Sequence, residues 1–308
     1  MSSVIIAGDT SGTITLAAPA VAGSTTLTLP ATSGTILQSG TAVTEAQGGT
    51  GTTTGYYGFK NRLINGAMVL DQRNAGAAVT PSTTVSGFPT DRFLVSVTQN
   101  SKLTTQQSTT ATTGFTNSSL VTSSSAYSVV AADVFAIRQS IEGFNFCDLS
   151  FGTASAQTLT LSFWVRSSLT GTFGGALGNY AATRSYPFTY TINAANTFEQ
   201  KTITIAGDTS GTWVGASAAG AASLWFGLGV GTTASGTAGA WAGTDYRSAT
   251  GATSVVGTNG ATFYITGVQL EKGATATSFD YRPYGTELAL CQRYYQQTLS
   301  GSNAEPSA

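Results

Sequence analysis

Residues 261–297 read ATFYITGVQLEKGATATSFDYRPYGTELALCQRYYQQ, and this stretch decides the fold. Phe263 and Ile265 alternate with polar neighbours, as a half-buried strand requires, and the positions from Val268 to Leu270 continue it. Glu271-Lys272-Gly273 suits a turn. Leu288, Cys291 and Tyr295 fall at helical spacing, which predicts one apolar stripe on a short amphipathic helix. Strand, turn and helix in immediate succession read as the closing seam of a domain.

The same period of two recurs upstream. Leu159, Leu161, Phe163 and Val165 alternate with Thr160, Ser162, Trp164 and Arg166, giving one apolar and one mixed face. Residues 93–97, 202–205 and 224–230 alternate in the same way. Strands separated by glycine-rich loops, with no long helical period, predict a two-sheet sandwich. The octapeptide IAGDTSGT occurs at 6–13 and again at 205–212. Its Gly-Asp and Ser-Gly pairs favour turns, so we read it as reused hairpin chemistry and not as a duplication.

Composition places a boundary ahead of these strands. From Met1 to Gly55 there is no aromatic residue and no Lys or Arg, and the only charges are Asp9 and Glu45. Short alternating pieces, Thr13–Leu16, Thr26–Leu29 and Thr35–Leu37, offer one thin apolar stripe each. Such stripes are too thin for a core within one chain; several chains sharing an axis, or a flexible linker, are the two readings. TSGTI at 10–14 returns at 32–36, which favours repeated strand-turn units. The glycine-rich run EAQGGTGTTTG at 45–55 allows sharp redirection, and aromatic and basic residues begin directly after it with Tyr56, Tyr57, Phe59, Lys60 and Arg62. The expected organisation is an N-terminal segment over 1–55, a β domain over 56–300 and a flexible tail over 301–308.

Only 9% of the 308 residues are charged, with 37 glycines, 41% hydrophobic residues and a formal net charge of −1. The hydrophobic content supplies a core, while the charge supplies no field to hold a phosphate backbone or an anionic membrane, so nucleic acid is not an expected partner. No run reaches the roughly 18 apolar residues of a spanning helix, and the start MSSVIIAGDT lacks the charged opening of a signal peptide. A cytoplasmic origin is the expectation. Cys147 and Cys291 imply no disulfide framework and are expected as two buried thiols.

Two blocks carry a family resemblance. VQLEKG at 268–273 with ATSFDYRPYGTELALCQRYYQ at 276–296, and NRLINGAMVLDQRN at 61–74 followed by Asp91-Arg92-Phe93, resemble the closing and opening signatures of a jelly-roll module in bacteriophage tail fibres and related tail proteins, a module similar to carbohydrate-binding domains. The run at 45–55 resembles the GGTG junction of such fibres. Asn74 and Phe93 stand where members of the family often have Gly and Trp. The resemblance implies an all-β chain: an N-terminal segment of short strands intertwined as a homotrimer, then a jelly-roll β-sandwich with a short C-terminal helix. It also implies a virion tail location after assembly in the host cytoplasm, attachment to tail or baseplate proteins through the N-terminal region, and recognition of a host-surface polysaccharide or lipopolysaccharide. A structural adaptor binding other virion proteins is the alternative, and a polysaccharide depolymerase is the third.

The chemistry points to recognition. The chain has no histidine, which removes Ser-His-Asp and Cys-His nucleophile schemes and the usual zinc sets. No phosphate-cradling motif occurs, and the Asp-rich spacing of a dedicated calcium loop is missing, so no cofactor or metal is expected. A glycosidase needs two carboxylates roughly 5 to 10 Å apart. Asp91, Asp280, Glu271 and Glu287 stand in structural contexts, beside Arg92, near Arg282, in the turn and at the helix start, which leaves Asp133, Glu142, Asp148, Glu199 and Asp245 with no spacing that marks a pair. Sugars are held by aromatic faces with hydrogen-bonding groups beside them. Isolated aromatics in small-residue loops are the candidates: Trp213, Trp241 and Tyr246 first, then Tyr180 and Tyr186, each with loop anchoring or a subunit contact as its competing role.

Overall fold

The computed structural model describes residues 3–7 and 13–17 as backbone and residues 59–85 and 87–297 in full. The chain divides into two compact units, Met1–Thr54 and Gly55–Ala308. In the first, β1 (Ser3–Ala7) pairs antiparallel with β2 (Thr13–Ala17), Ile5 opposite Thr15. The pieces at 26–29 and 35–37, the GGTG junction and the 301–308 tail lie outside the described residues.

The second unit is a jelly-roll β-sandwich with one α-helix among its described residues. Its strands are β3 (Gly87–Thr90), β4 (Phe93–Val97), β5 (Leu103–Ser108), β6 (Ser118–Ser123), β7 (Val134–Glu142), β8 (Leu159–Ser167), β9 (Gly171–Asn179), β10 (Ser185–Ile192), β11 (Glu199–Ile205), β12 (Gly220–Val230) and β15 (Thr262–Lys272). One sheet has the order β10-β9-β12-β7-β4-β3 and the other β11-β8-β15-β6-β5, all pairs antiparallel. A two-residue parallel pair, β13 (Ser235–Gly236) with β14 (Ser248–Ala249), ties down the loop after β12.

Alternation explains the packing. Phe163 of β8 meets Phe226 of β12 at 5.1 Å between ring centroids, and Phe173 of β9 meets Phe263 of β15 at 6.0 Å, so the two sheets interdigitate through phenylalanines. Trp164 and Arg166 lie on the opposite, partly exposed face of β8. β15 sits between β8 and β6 and carries a bulge between Thr266 and Gln269, at which Gly267 adopts φ +60°. Glu271 and Lys272, expected in a turn, still pair with Thr160 and Leu159; the turn begins at Gly273, with φ +122°. The helix α1 (Tyr284–Gln292) buries Cys291, with Leu288 partly buried against the cluster of Ile64, Leu70 and Cys291. Tyr295 lies past the helix end, under the guanidinium of Arg73 at 3.6 Å from its ring centroid.

Residues 61–74, expected as an opening strand, form no strand. The reason is that side chains satisfy their backbone. Asn65 is fully buried with φ +59°; its Nδ2 donates to the carbonyls of Leu70 and Asp91 at 2.9 Å each, and its Oδ1 accepts from Leu70 N–H. Asn61 does the same for the bulged strand, donating to Val268 O at 2.9 Å and accepting from Leu270 N–H at 3.1 Å. A side chain at Gly66 would collide with the Val268 carbonyl. The block is a plug knitted to β15.

Two further expectations are corrected. Cys147 is exposed, while Cys291 is buried; both are free. Cys147 sits in a 3₁₀ turn after β7, in which the neighbouring Phe146 takes the core position. IAGDTSGT joins paired strands at 6–13, but at 205–212 it leaves β11 in one sheet for β12 in the other, so only the first copy connects a hairpin. In the second copy Asp208 is buried in an ion pair with Arg184.

Candidate functional site: the outer face of the six-stranded sheet and its aromatic edge

Rings from the segments after β7, β11 and β13, with Tyr186 of β10, build an aromatic edge. Trp213 stacks on Phe146 at 5.5 Å and meets Phe151 edge-on at 4.9 Å; Trp241 meets Trp213, Phe151 and Tyr186 at 5.6, 5.7 and 5.4 Å. Both indoles are half-buried. Their N–H groups are satisfied internally, Trp213 Nε1 donating to Asp208 Oδ2 at 3.2 Å and Trp241 Nε1 to Ala206 O at 2.6 Å. Arg184 grips Asp208 with two hydrogen bonds of 2.8 and 2.6 Å, and this bidentate pair holds the 206–212 loop beside the rings.

The stretch GGALGNYAATRSYPF, expected as a loop, is the β9-β10 hairpin. Tyr186 is therefore a strand residue. It is buried under Trp241, and burial raises its phenol pKa, so it supports the edge from beneath. Tyr180, directly after β9, is 54% exposed with its ring over Gly220. Tyr246 is half-buried with its ring over Gly236, and its N–H donates to Ser185 Oγ at 3.0 Å. The structure thus gathers Trp213, Trp241 and Tyr186 in one cluster and leaves Tyr180 and Tyr246 apart from it.

The sheet itself holds residues that sequence reasoning missed. Leu224, Phe226 and Leu228 of β12 point into the inter-sheet core, whereas Trp225 packs with Val134 and Ala136 on the other side of the six-stranded sheet. Cross-strand register sets a row on that outer face: Leu94, Arg138, Trp225, Ala176 and Pro187. The next row is Ser140, Ser223, Gly178 and Ser185, with the first two hydroxyls 3.2 Å apart. Gly174 and Gly227 admit the β14 loop, since a Cβ at either would lie 2.6 Å from Ser248 Oγ.

Two guanidiniums lie over the Trp225 ring, Arg138 and Arg247, each 4.9 Å from its centroid. Arg247 pairs with Asp245 at 2.7 Å. Burial lowers the Arg138 pKa, Tyr180 raises it, Arg247 lowers it further and Asp245 raises it. The segment 241–247 runs from Trp241 on the aromatic edge to Arg247 on the sheet face, so one loop borders both surfaces. The signal for Trp225 was its opposite phase to Leu224 and Phe226. Nothing sequential links Arg138 to Arg247.

The five acids left without a context all have structural partners. Asp133 accepts from Thr98, Tyr127 and Val130; Glu142 pairs with Arg293, Asp148 with Arg62, Glu199 with Lys201 and Asp245 with Arg247. Asp91, expected beside Arg92, pairs instead with Arg73 at 3.8 Å and accepts from Gln72, because Arg92 turns at φ +75° and donates to Ser140 O. Glu271 is buried, accepting from Gln269 and Thr277; Asp280 accepts from Asn61 N–H and Glu287 from Asn65 N–H. Among the described residues no three His, Cys, Asp or Glu side chains converge as a metal site, and no helix is long and apolar enough to cross a membrane.

No protein-family model matches the chain, and no curated protein matches it. Among solved structures it is similar to the enzymatically active domain of tailspike protein 4 of bacteriophage CBA120, at 14% identity and a TM-score of 0.35, over 70% of this chain and 22% of that one. This chain therefore spans less than a quarter of the length of that solved domain. It is also similar to the family 11 carbohydrate-binding module of Clostridium thermocellum in complex with a β-1,3-1,4-mixed-linked tetrasaccharide, at 11% identity and a TM-score of 0.33, over 65% of this chain and 98% of that one. A third likeness is to TmCBM61 in complex with β-1,4-galactotriose, at 11% identity and a TM-score of 0.33, over 69% and 99% of the two chains.

Proposed function

We propose that this chain is a bacteriophage tail fibre or comparable tail appendage whose sandwich binds a host-surface glycan during adsorption, without catalysing a reaction on it. The observation that carries the reading is the aromatic edge: half-exposed Trp213 and Trp241 beside the Arg184–Asp208 pair, with Tyr246 and exposed Tyr180 on the adjoining sheet face. Ring faces with fixed polar groups beside them are the chemistry that holds a sugar. The sequence blocks at 61–74 and 268–296 supply the tail context. The engagement of every described acid with structural partners favours binding over hydrolysis.

A second reading has its own observation. Phe59 and Phe144, 61% and 60% exposed, line one cleft of about 240 Å³ with Arg282 and Leu290, and Tyr284 is 63% exposed on α1. Exposed rings around a cleft suit a contact with another virion protein.

The full chain is tested against a panel of host-surface polysaccharides and in competition with virus for cells. Saturable glycan binding that blocks adsorption, with no new reducing ends, is the expected result. Tyr246→Ala then weakens binding by about 1–3 kcal/mol, the usual cost of truncating a ring that acts as a hot spot. Binding to purified virions with no glycan affinity would establish the second reading, and release of reducing ends would establish an enzyme.

A further inference from the structure

We infer that the Arg138–Trp225–Arg247 surface takes an oxyanion, the carboxylate of an acidic sugar, so that the glycan recognised is an acidic one. The inference rests on the glycan-binding reading and adds the class of sugar. Nine arginines occur in the chain. Arg62, Arg73, Arg184, Arg247, Arg282 and Arg293 each have a carboxylate within 4 Å, while Arg92 and Arg166 donate to the carbonyls of Ser140 and Asn196. Arg138, half-buried at the middle of β7, has neither kind of partner among the described residues.

Its surroundings make that position costly. The cross-strand neighbours are Leu94 and Trp225, and the nearest strong charge is a second guanidinium on the same ring. Asp245 offsets only one of the two cations. A cation over an indole recovers part of the lost hydration, but it leaves the N–H donors of Arg138 to solvent, with no acceptor from the protein among the described residues. Arg247 already gives its Nε and Nη2 to Asp245, so a planar carboxylate would take the fork of Arg138 and could reach Arg247 only at Nη1, offsetting the repulsion between the two cations. Exposed Tyr180, within electrostatic reach of Arg138, and the half-buried Ser140 hydroxyl in the next row supply a ring face and a neutral polar group for the rest of the sugar.

A phosphate group presents the same oxyanion, so the experiment separates the sources. The full chain is titrated by calorimetry with oligogalacturonate and sialylated oligosaccharides, with their carboxyl-reduced counterparts, and with the acidic sugars in the presence of inorganic phosphate. The expected result is at least about tenfold tighter binding of an acidic probe than of its reduced form, a gap that narrows with salt and is unmoved by millimolar phosphate. Arg138→Gln closes the gap, Arg247→Gln narrows it, and Arg166→Gln on the opposite sheet leaves it intact. Equal affinity for acidic and reduced forms in the unaltered chain overturns the inference while leaving glycan recognition standing. Displacement by phosphate alone assigns the surface to a phosphorylated ligand and also overturns it. Binding to no carbohydrate of either kind removes both readings together.

Discussion

At the scale of single residues, this sandwich settles its polar groups inside the fold, and the exceptions are informative. Tyr190 is buried with its hydroxyl unpartnered among the described residues. Tyr190→Phe removes that unmet group, so thermal melting should show stability unchanged or raised by up to about 1 kcal/mol. Glu199 shows the opposite balance. Burial alone would raise its pKa from 4.5, but Lys201, the Asn193 and Ala194 N–H groups and the Asn193 amide hold it at about 2. The folded value lies below the unfolded one, so the stabilisation is present above pH 4.5 and is lost as pH falls toward 2, on the order of 1–2 kcal/mol after solvent screening. Melting curves from pH 5 to 2 should drop less steeply for Glu199→Gln than for the unaltered chain. The two thiols divide in the same physical terms: burial pushes Cys291 up to about 12, and Cys147 is exposed. A maleimide reagent should modify one thiol in the native protein and both in denaturant.

At the scale of elements, the plug at 61–74 is the part most dependent on specific side chains. Asn65→Ala would strand the Leu70 N–H and remove both amide donors from a fully buried site, a cost of about 2–4 kcal/mol by denaturant titration. Asn74→Ala, at a partly exposed turn, should cost clearly less. The aromatic edge carries a double role that separate measurements can divide. Trp241 packs against three rings and donates to Ala206 O, so Trp241→Ala lowers the melting temperature, and its effect on binding must be read beside Tyr246→Ala.

At the scale of the whole molecule, the compositional break after Gly55 predicts that a chain beginning near Tyr56 is soluble and melts cooperatively. Aggregation of that truncation, with a well-behaved full chain, would refute the boundary. The assembly proposal concerns the first unit. Ile14, Leu16, Leu27, Leu29 and Ile36 contribute about 1.5–3 kcal/mol each when buried, against a backbone ordering cost of about 1–2 kcal/mol per residue. We therefore propose three copies around an axis, in which each stripe meets two others. Solution mass should give a trimer for the full chain and a smaller species for Leu16→Asp with Leu29→Asp.

The sequence by itself determined the sandwich, because the phase of alternation in β8, β12 and β15 is a local property that fixes which side chains face the core. It also determined the closing helix and the absence of a histidine triad. It misread 61–74, since a backbone satisfied by buried asparagines has no period to detect, and it took the β9-β10 hairpin for a loop because glycines at Gly174, Gly175 and Gly178 mimic one. Only the tertiary structure decided that Trp225 meets Arg138 across strands and Arg247 from the loop between β13 and β14. Strand register and loop closure set such meetings, and no local pattern of residue types encodes them.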